Sequence, residues 1–174
     1  TEGSAMHRLK IVIVSPALAD ANNGNWQTAR RWKSLLAPHT VRIVRGWPDA
    51  LAAHDDVMLA LHARRSASAV QAWFAQRGAR GLGLVLTGTD LYRDIQHDAA
   101  AQAALTQAHS LVVLQSQGLQ ALPQVHHSKT RVIVASGAVA VGESRMRYGP
   151  TPVKGWAMNG YQPVTCTGNG FRRD

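Results

Sequence analysis

Short runs of mostly apolar residues recur along the first three quarters of the chain and alternate with stretches of helical periodicity. The runs lie at residues 11–14, 40–44, 56–61, 81–86, 110–114 and 130–135. A run that is apolar at successive positions is typical of a strand covered on both faces, as in a parallel sheet. Between the runs, apolar residues at spacings of three and four predict helices at 25–36, 66–78, 98–108 and 117–122. This alternation predicts an α/β fold with right-handed crossovers.

The predicted sheet is Rossmann-like, with six parallel strands in the order 3-2-1-4-5-6. In that order, the first and fourth strands flank the topological switch point, at which successive strands begin to be added on the other side of the first strand. Ligands of open α/β sheets bind at such a point, beyond the carboxyl ends of the strands. The loops after Val14 and Leu86 are therefore expected to meet across one crevice. The third strand is expected to lie toward the edge of the sheet.

The two ends of the chain differ from the rest. Residues 1–5 precede Met6 and are expected to be a cloning remnant. Residues 6–136 are expected to form the Rossmann-like domain. The segment 137–174 holds seven of the fifteen glycines and three of the seven prolines and has no clear period. It is predicted to be an atypical tail. It could be a linker, a segment that wraps around the domain, a disordered region or the product of a wrong reading frame.

Composition narrows the class of protein. The chain has 174 residues, of which 45% are hydrophobic and 17% charged, so wholesale disorder is excluded. The net charge of +9 indicates an anionic partner, although no run of four basic residues occurs. Cys166 is the single cysteine, so no disulfide can form within the chain. No apolar stretch is long enough to span a bilayer, and a cytoplasmic protein without a membrane partner is expected.

The loop after the first strand is the first candidate site. Asparagine and glycine tolerate left-handed backbone, and a helix start with exposed amides suits an oxyanion or sugar hydroxyls. Asn25 is the predicted N-cap of the first helix. The simpler alternative is an ordinary turn with a cap. The substrate-binding candidates here are Asn22, Asn23, Gly24, Asn25 and Thr28, and the catalytic candidate is Asp20.

The loop after the fourth strand is the second candidate site. Thr87, Gly88, Thr89 and Asp90 offer two hydroxyls, a permissive glycine and a carboxylate. These groups suit holding an acceptor or polarising a leaving group, and Thr87 and Asp90 are the catalytic candidates. In the alternative interpretation, Asp90 only caps the following helix.

The end of the third strand carries His62, Arg64 and Arg65. Two arginines can bind a phosphate-type dianion through forked hydrogen bonds. The alternative is a solvated basic helix start. Three other dipeptides that contain histidine lack the spaced partners of a metal site, so no metal and no cofactor are expected. They are His54-Asp55, His97-Asp98 and His126-His127.

Three stretches together resemble a known family. Residues 13–32, 58–66 and 84–94 are similar to the N-terminal half of the selenosugar synthases of selenoneine biosynthesis, which are GT-B glycosyltransferase-like enzymes. The resemblance implies that residues 6–136 correspond to the N-terminal domain of a GT-B fold. It also implies transfer of a sugar from a UDP-sugar (UDP-GlcNAc or UDP-glucose) to selenophosphate, with formation of a carbon–selenium bond.

In that family the nucleotide sugar sits mainly on a second Rossmann-like domain. The chain is therefore expected to carry the acceptor side and to be inactive alone. Two alternatives from other classes stay open. A dinucleotide-binding oxidoreductase lacks support because no Gly-x-Gly-x-x-Gly follows the first strand and Arg45 follows the second. A basic nucleic-acid-binding module is not expected because no aromatic-basic strand or recognition-helix motif occurs.

Overall fold

Parallel strands form a single sheet in the computed structural model, which describes residues 7–19 and 24–134. The strands of this region are β1 (Lys10–Val14), β2 (Thr40–Val44), β3 (Val57–Leu61), β4 (Leu82–Leu86), β5 (Ser110–Val113) and β6 (Thr130–Val132). Each predicted apolar run contains or overlaps one of them. The α/β, Rossmann-like fold class predicted from the pattern is confirmed, with all neighbouring strands parallel.

Helices connect the strands. They are α1 (Gly24–Leu35), α2 (Ala67–Arg77), α3 (Ile95–His97), α4 (Ala99–Gln107) and α5 (Gly118–Ala121). Short 3₁₀ turns occupy Ala52–His54 and Gln124–Lys129, and a π-helical turn occupies Asp90–Asp94. No helix within the described ranges is both long and apolar enough to cross a membrane.

The sheet separates two apolar layers. On one face, alternate residues of the strands pack against α2 and α4, and the Trp73 side chain of α2 is fully buried in this layer. On the other face, Ile11, Ile13 and Leu61 pack with Ala29 of α1. Burial on both faces explains why the interior strands β1, β3, β4 and β5 are apolar at consecutive positions.

The observed strand order is β2-β1-β3-β4-β5-β6. The predicted order 3-2-1-4-5-6 is therefore wrong for the first three strands. The physical reason lies in Arg42, which occupies the middle of β2 and pairs with Val12. A guanidinium cannot be covered on both faces without large desolvation, so β2 takes the edge. Strand β3, whose Met58, Ala60 and Leu61 are fully buried, takes the interior position.

Arg42 is held by two aspartates at this edge. Its Nε donates to Asp55 Oδ1 at 2.9 Å, and its Nη2 donates to Asp49 Oδ1 at 2.9 Å. These hydrogen bonds raise the pKa of Arg42 above its ordinary value. Trp47 Nε1 donates to the buried Asp55 Oδ2 at 3.0 Å, so Trp47, which the sequence left unassigned, belongs to this structural network.

Gly81 generates a prediction about the fold. Its φ is +72°, and a Cβ built on it would lie 2.7 Å from the carbonyl oxygen of Asp56. Gly81→Ala should lower the free energy of unfolding by about 2–4 kcal/mol, because left-handed strain and a backbone clash act together. Gly46→Ala is the control, since nothing lies within 4 Å of its added Cβ. Urea unfolding of both variants should separate them, and equal stabilities would contradict the described approach of β4 to β3.

Candidate functional site

The carboxyl ends of β1, β3 and β4 lie side by side. Val14 pairs with Ala60, and Leu61 pairs with Val85. Since the chain leaves β1 toward β2 on one side and returns to β3 on the other, the switch point lies between β1 and β3. The expectation that the loops after the first and fourth strands flank this point is wrong. The loop after β3 lies between them, and β3 is not an edge strand.

Asp90 joins two of these loops. Its Oδ2 accepts a hydrogen bond from the backbone N–H of Ala63 at 2.9 Å. Its Oδ1 accepts from the N–H groups of Thr87 at 3.0 Å and Gly88 at 2.9 Å. The side chain is fully buried. Both carboxylate oxygens are thus engaged by the backbone, an arrangement that suits a structural tie between the loops better than proton transfer.

The other members of the second candidate site surround this tie. Gly88 has a φ of +135°, which favours glycine, and its carbonyl oxygen accepts from Tyr92 N–H. Thr87 is half-buried, whereas Thr89 is exposed. The Asp90–Asp94 segment that follows is π-helical, a geometry that often accompanies functional sites.

His62 lies directly after β3 and is 4% exposed. Its φ of +73° is the single positive value for a non-glycine residue in the described part of the chain. Its Nδ1 accepts from the Arg65 backbone N–H at 3.3 Å, and its Nε2 lies 3.1 Å from Thr89 Oγ1. Burial lowers the pKa of the imidazole below its ordinary value; the Asp90 and Asp94 carboxylates oppose this shift, and the Arg65 charge adds to it. Strained backbone and a neutral buried imidazole are features of functional sites.

The two arginines of this loop differ in their partners. Arg64 Nε lies 3.3 Å from Asp98 Oδ2, in an ion pair whose arginine side chain is 56% exposed. Arg65 is also exposed and has no ion-pair partner among residues 7–19 and 24–134. The positive charge that remains available beside His62 is therefore that of Arg65.

The first candidate site is described only in part. Asp20, Asn22 and Asn23 lie outside the described residues. Gly24 begins α1, so Asn25 is within the first turn and is not the N-cap as predicted. Thr28 Oγ1 donates to the Gly24 carbonyl oxygen at 2.9 Å, which ties the hydroxyl to its own helix.

Asp94 is a neighbour of His62 that the sequence did not indicate. It is 5% exposed, and its Oδ2 lies 3.8 Å from His62 Nε2. Its Oδ1 accepts from Arg93 Nε at 3.0 Å. Asp94 follows Asp90 by four residues in one helical segment, so the sequence could have placed both carboxylates on the same side of that segment. Within the described ranges, no three His, Cys, Asp or Glu side chains lie together as metal ligands would.

No family model matches the chain, and no curated protein matches it.

Asp90 generates a prediction about stability. Asp90→Asn places an amide N–H₂ among three backbone donors, so at least one buried N–H loses its acceptor. The free energy of unfolding should fall by about 2–4 kcal/mol. Asp56→Asn is the matched control, because the exposed Asp56 carboxylate accepts one bond, from Lys10 N–H at 2.8 Å. Its cost should be about 1 kcal/mol or less. If both variants unfold at the same urea concentration, Asp90 does not tie the loops.

His62 generates a prediction about pH. A histidine whose folded pKa is depressed binds fewer protons in the folded state than in the unfolded state. Its contribution to stability is therefore complete above the ordinary pKa of 6.5 and is lost as the pH falls toward the folded value. The stability of the parent protein should fall more steeply between pH 7.5 and 5.5 than that of His62→Gln, which cannot titrate. Urea unfolding across this range gives the free energy of unfolding of both proteins at each pH. His126 and the other titrating groups are present in both, so their contributions cancel in the difference between the two. Parallel curves would refute the burial of a neutral His62.

Proposed function

We propose that this domain binds the anionic acceptor in a sugar-transfer reaction, in which a UDP-sugar glycosylates selenophosphate. The observation that carries the proposal is the position of the loop after β3. This loop lies at the switch point of the sheet, holds His62 against Thr89, and carries Arg65, whose backbone N–H donates to the His62 ring. A guanidinium without an acidic partner and a hydroxyl are groups that suit a dianionic acceptor.

The proposed chemistry is a displacement at the anomeric carbon. A lone pair of the selenium atom forms the new carbon–selenium bond, and the bond from that carbon to the β-phosphate oxygen breaks. UDP leaves with the electron pair. The domain contributes orientation of the acceptor, because a selenophosphate held at fixed geometry reacts as if at high local concentration.

The donor nucleotide is assigned, in this proposal, to surface outside residues 7–19 and 24–134. That assignment rests on the resemblance of residues 13–32, 58–66 and 84–94 to GT-B glycosyltransferase-like selenosugar synthases. The described part of the chain contributes the acceptor side. The candidates for contact with the acceptor are Arg65, Thr89 and the residues of the first loop.

Parallel titrations separate this proposal from its alternatives. Selenophosphate, UDP-GlcNAc, UDP-glucose, NAD and a single-stranded oligonucleotide are each added to the protein in a calorimeter. The proposal expects binding of selenophosphate. Binding of NAD alone would favour an oxidoreductase, and binding of the oligonucleotide alone would favour a nucleic-acid-binding module. Either outcome, without selenophosphate binding, would overturn the proposal.

The arginines of the β3 loop give its mutational prediction. Replacing Arg64 and Arg65 by alanine should weaken selenophosphate binding by about tenfold or more, since a charge-assisted bond contributes about 1.5–3 kcal/mol. The control is Arg80→Ala, which removes an exposed arginine next to the amino end of β4, at the opposite edge of the sheet. Calorimetric affinities give the comparison. If the double variant binds like the control, the arginines belong to the solvated surface.

A further inference from the structure

Thr89, His62 and Asp94 form a cluster that resembles a nucleophile–base–acid triad. Thr89 Oγ1 lies 3.1 Å from His62 Nε2, and Asp94 Oδ2 lies 3.8 Å from the same atom. In a working triad, the nucleophile and the acid contact different ring nitrogens, so that the imidazole carries a proton between them. Here both face Nε2. The geometry excludes relay of a proton from Thr89 to Asp94 through His62.

The other ring nitrogen fixes the tautomer. Nδ1 accepts from the backbone N–H of Arg65 at 3.3 Å, and a nitrogen that accepts carries no proton. The imidazole is neutral because burial depresses its pKa. The single ring proton is therefore on Nε2 and points at Thr89. The left-handed backbone of His62, with φ +73°, is what turns the side chain back under its own loop.

Thr89 Oγ1 is consequently a hydrogen-bond acceptor toward His62. Its own hydroxyl proton must point in another direction. Thr89 is exposed, and its hydroxyl has no other partner among the described residues. The O–H group can thus donate to a ligand at the carboxyl edge of the sheet, and the bond from His62 restricts its orientation. The charges of Arg65, Asp90 and Asp94 are all close enough to affect the His62 imidazole. Asp90 is engaged by three backbone N–H groups and Asp94 by Arg93, which leaves Arg65 as the charge without a side-chain partner in the described ranges.

We propose that the Thr89 hydroxyl donates a hydrogen bond to an oxyanion of a phosphate-type ligand, and that His62 is a positioning residue that orients this hydroxyl through Nε2–H. Thr89 acts as a binding group and not as a nucleophile. The identity of the anion as selenophosphate rests on the proposed function, whereas binding of a tetrahedral oxyanion does not.

The tautomer can be observed directly. In the 174-residue protein labelled with ¹⁵N on histidine, at pH 7.5, the Nδ1 and Nε2 signals of His62 should have the separate shifts of a fixed Nε2–H tautomer. Assignment of the proton to Nδ1, or averaged shifts, would overturn the proposal. This measurement requires neither a ligand nor an activity.

Inorganic phosphate is the probe for the anion, with affinities taken from chemical-shift titration. Thr89→Val should weaken phosphate binding by about tenfold, because one hydrogen bond to a charged group is lost. Thr89→Ser keeps the hydroxyl and should bind like the parent. Thr106→Val, which changes an exposed threonine of α4, should leave phosphate binding unchanged. Unchanged affinity in Thr89→Val would refute the role of the hydroxyl.

A double-mutant cycle tests whether His62 acts through Thr89. Asparagine tolerates a positive φ but is too short to reach Thr89, whereas glutamine supplies an amide donor near the position of Nε2. His62→Asn should weaken phosphate binding about as much as Thr89→Val, and His62→Gln should restore it. The combination of His62→Asn with Thr89→Val should be no weaker than Thr89→Val alone. Additive losses would mean that His62 contacts the anion itself, and the positioning role would be wrong.

Selenophosphate binding keeps this inference distinct from the proposed function. If phosphate binds with the expected dependence on Thr89 but selenophosphate does not bind to the chain, the proposed function fails and the anion site stands. If selenophosphate binds and Thr89→Val leaves the affinities for both selenophosphate and phosphate unchanged, the anion site fails and the proposed function stands.

Discussion

A buried carboxylate holds the candidate site together. Asp90 accepts three backbone hydrogen bonds, one from the loop after β3 and two from the loop after β4. An unpaired buried carboxylate would be destabilising by several kcal/mol, so this charge fixes both loops in the one arrangement that satisfies it. The position of Ala63 next to Asp90 in turn fixes the turn at His62, which brings the imidazole against Thr89. The loops are thus preorganised by the fold, before any ligand binds.

The class of the fold could be predicted from the sequence, whereas the strand order could not be predicted by pattern alone. Runs of mostly apolar residues identified the strands, because both faces of the interior strands are covered. The runs were treated as equivalent, so the pattern did not rank the strands by position. Arg42 was the distinguishing residue: a guanidinium in the middle of a strand needs acidic partners near solvent, and it places β2 at the edge.

The sequence could predict which loops carry the polar residues of the candidate site, but not which of those residues contact one another. Polar residues after β3 and β4 were indicated by their types and by the rule that ligands bind at the carboxyl edge. His62 and Thr89 are 27 residues apart, and their contact depends on the strand order. The predicted order placed β3 at the edge of the sheet, so this contact could not be foreseen. Burial of Asp90 also depends on this order, since its partner Ala63 follows β3. The role of Asp20 remains a prediction, because it lies outside the described residues.

The net charge of +9 indicates the sign of a partner but not its place. Some basic residues have partners within the fold: Arg42 is bound by two aspartates, Arg64 pairs with Asp98, and Lys129 donates to three carbonyl oxygens around the end of α4. Salt screens exposed charges beyond about 8 Å at physiological ionic strength, so distant basic residues add little to the binding of a small anion. In the β3 loop, Arg65 N–H donates to the His62 ring, and that ring contacts the Thr89 hydroxyl of the neighbouring loop. The small oxyanion that we propose as ligand needs only such a local set of groups, whereas a polyanion would need cations spread over the surface.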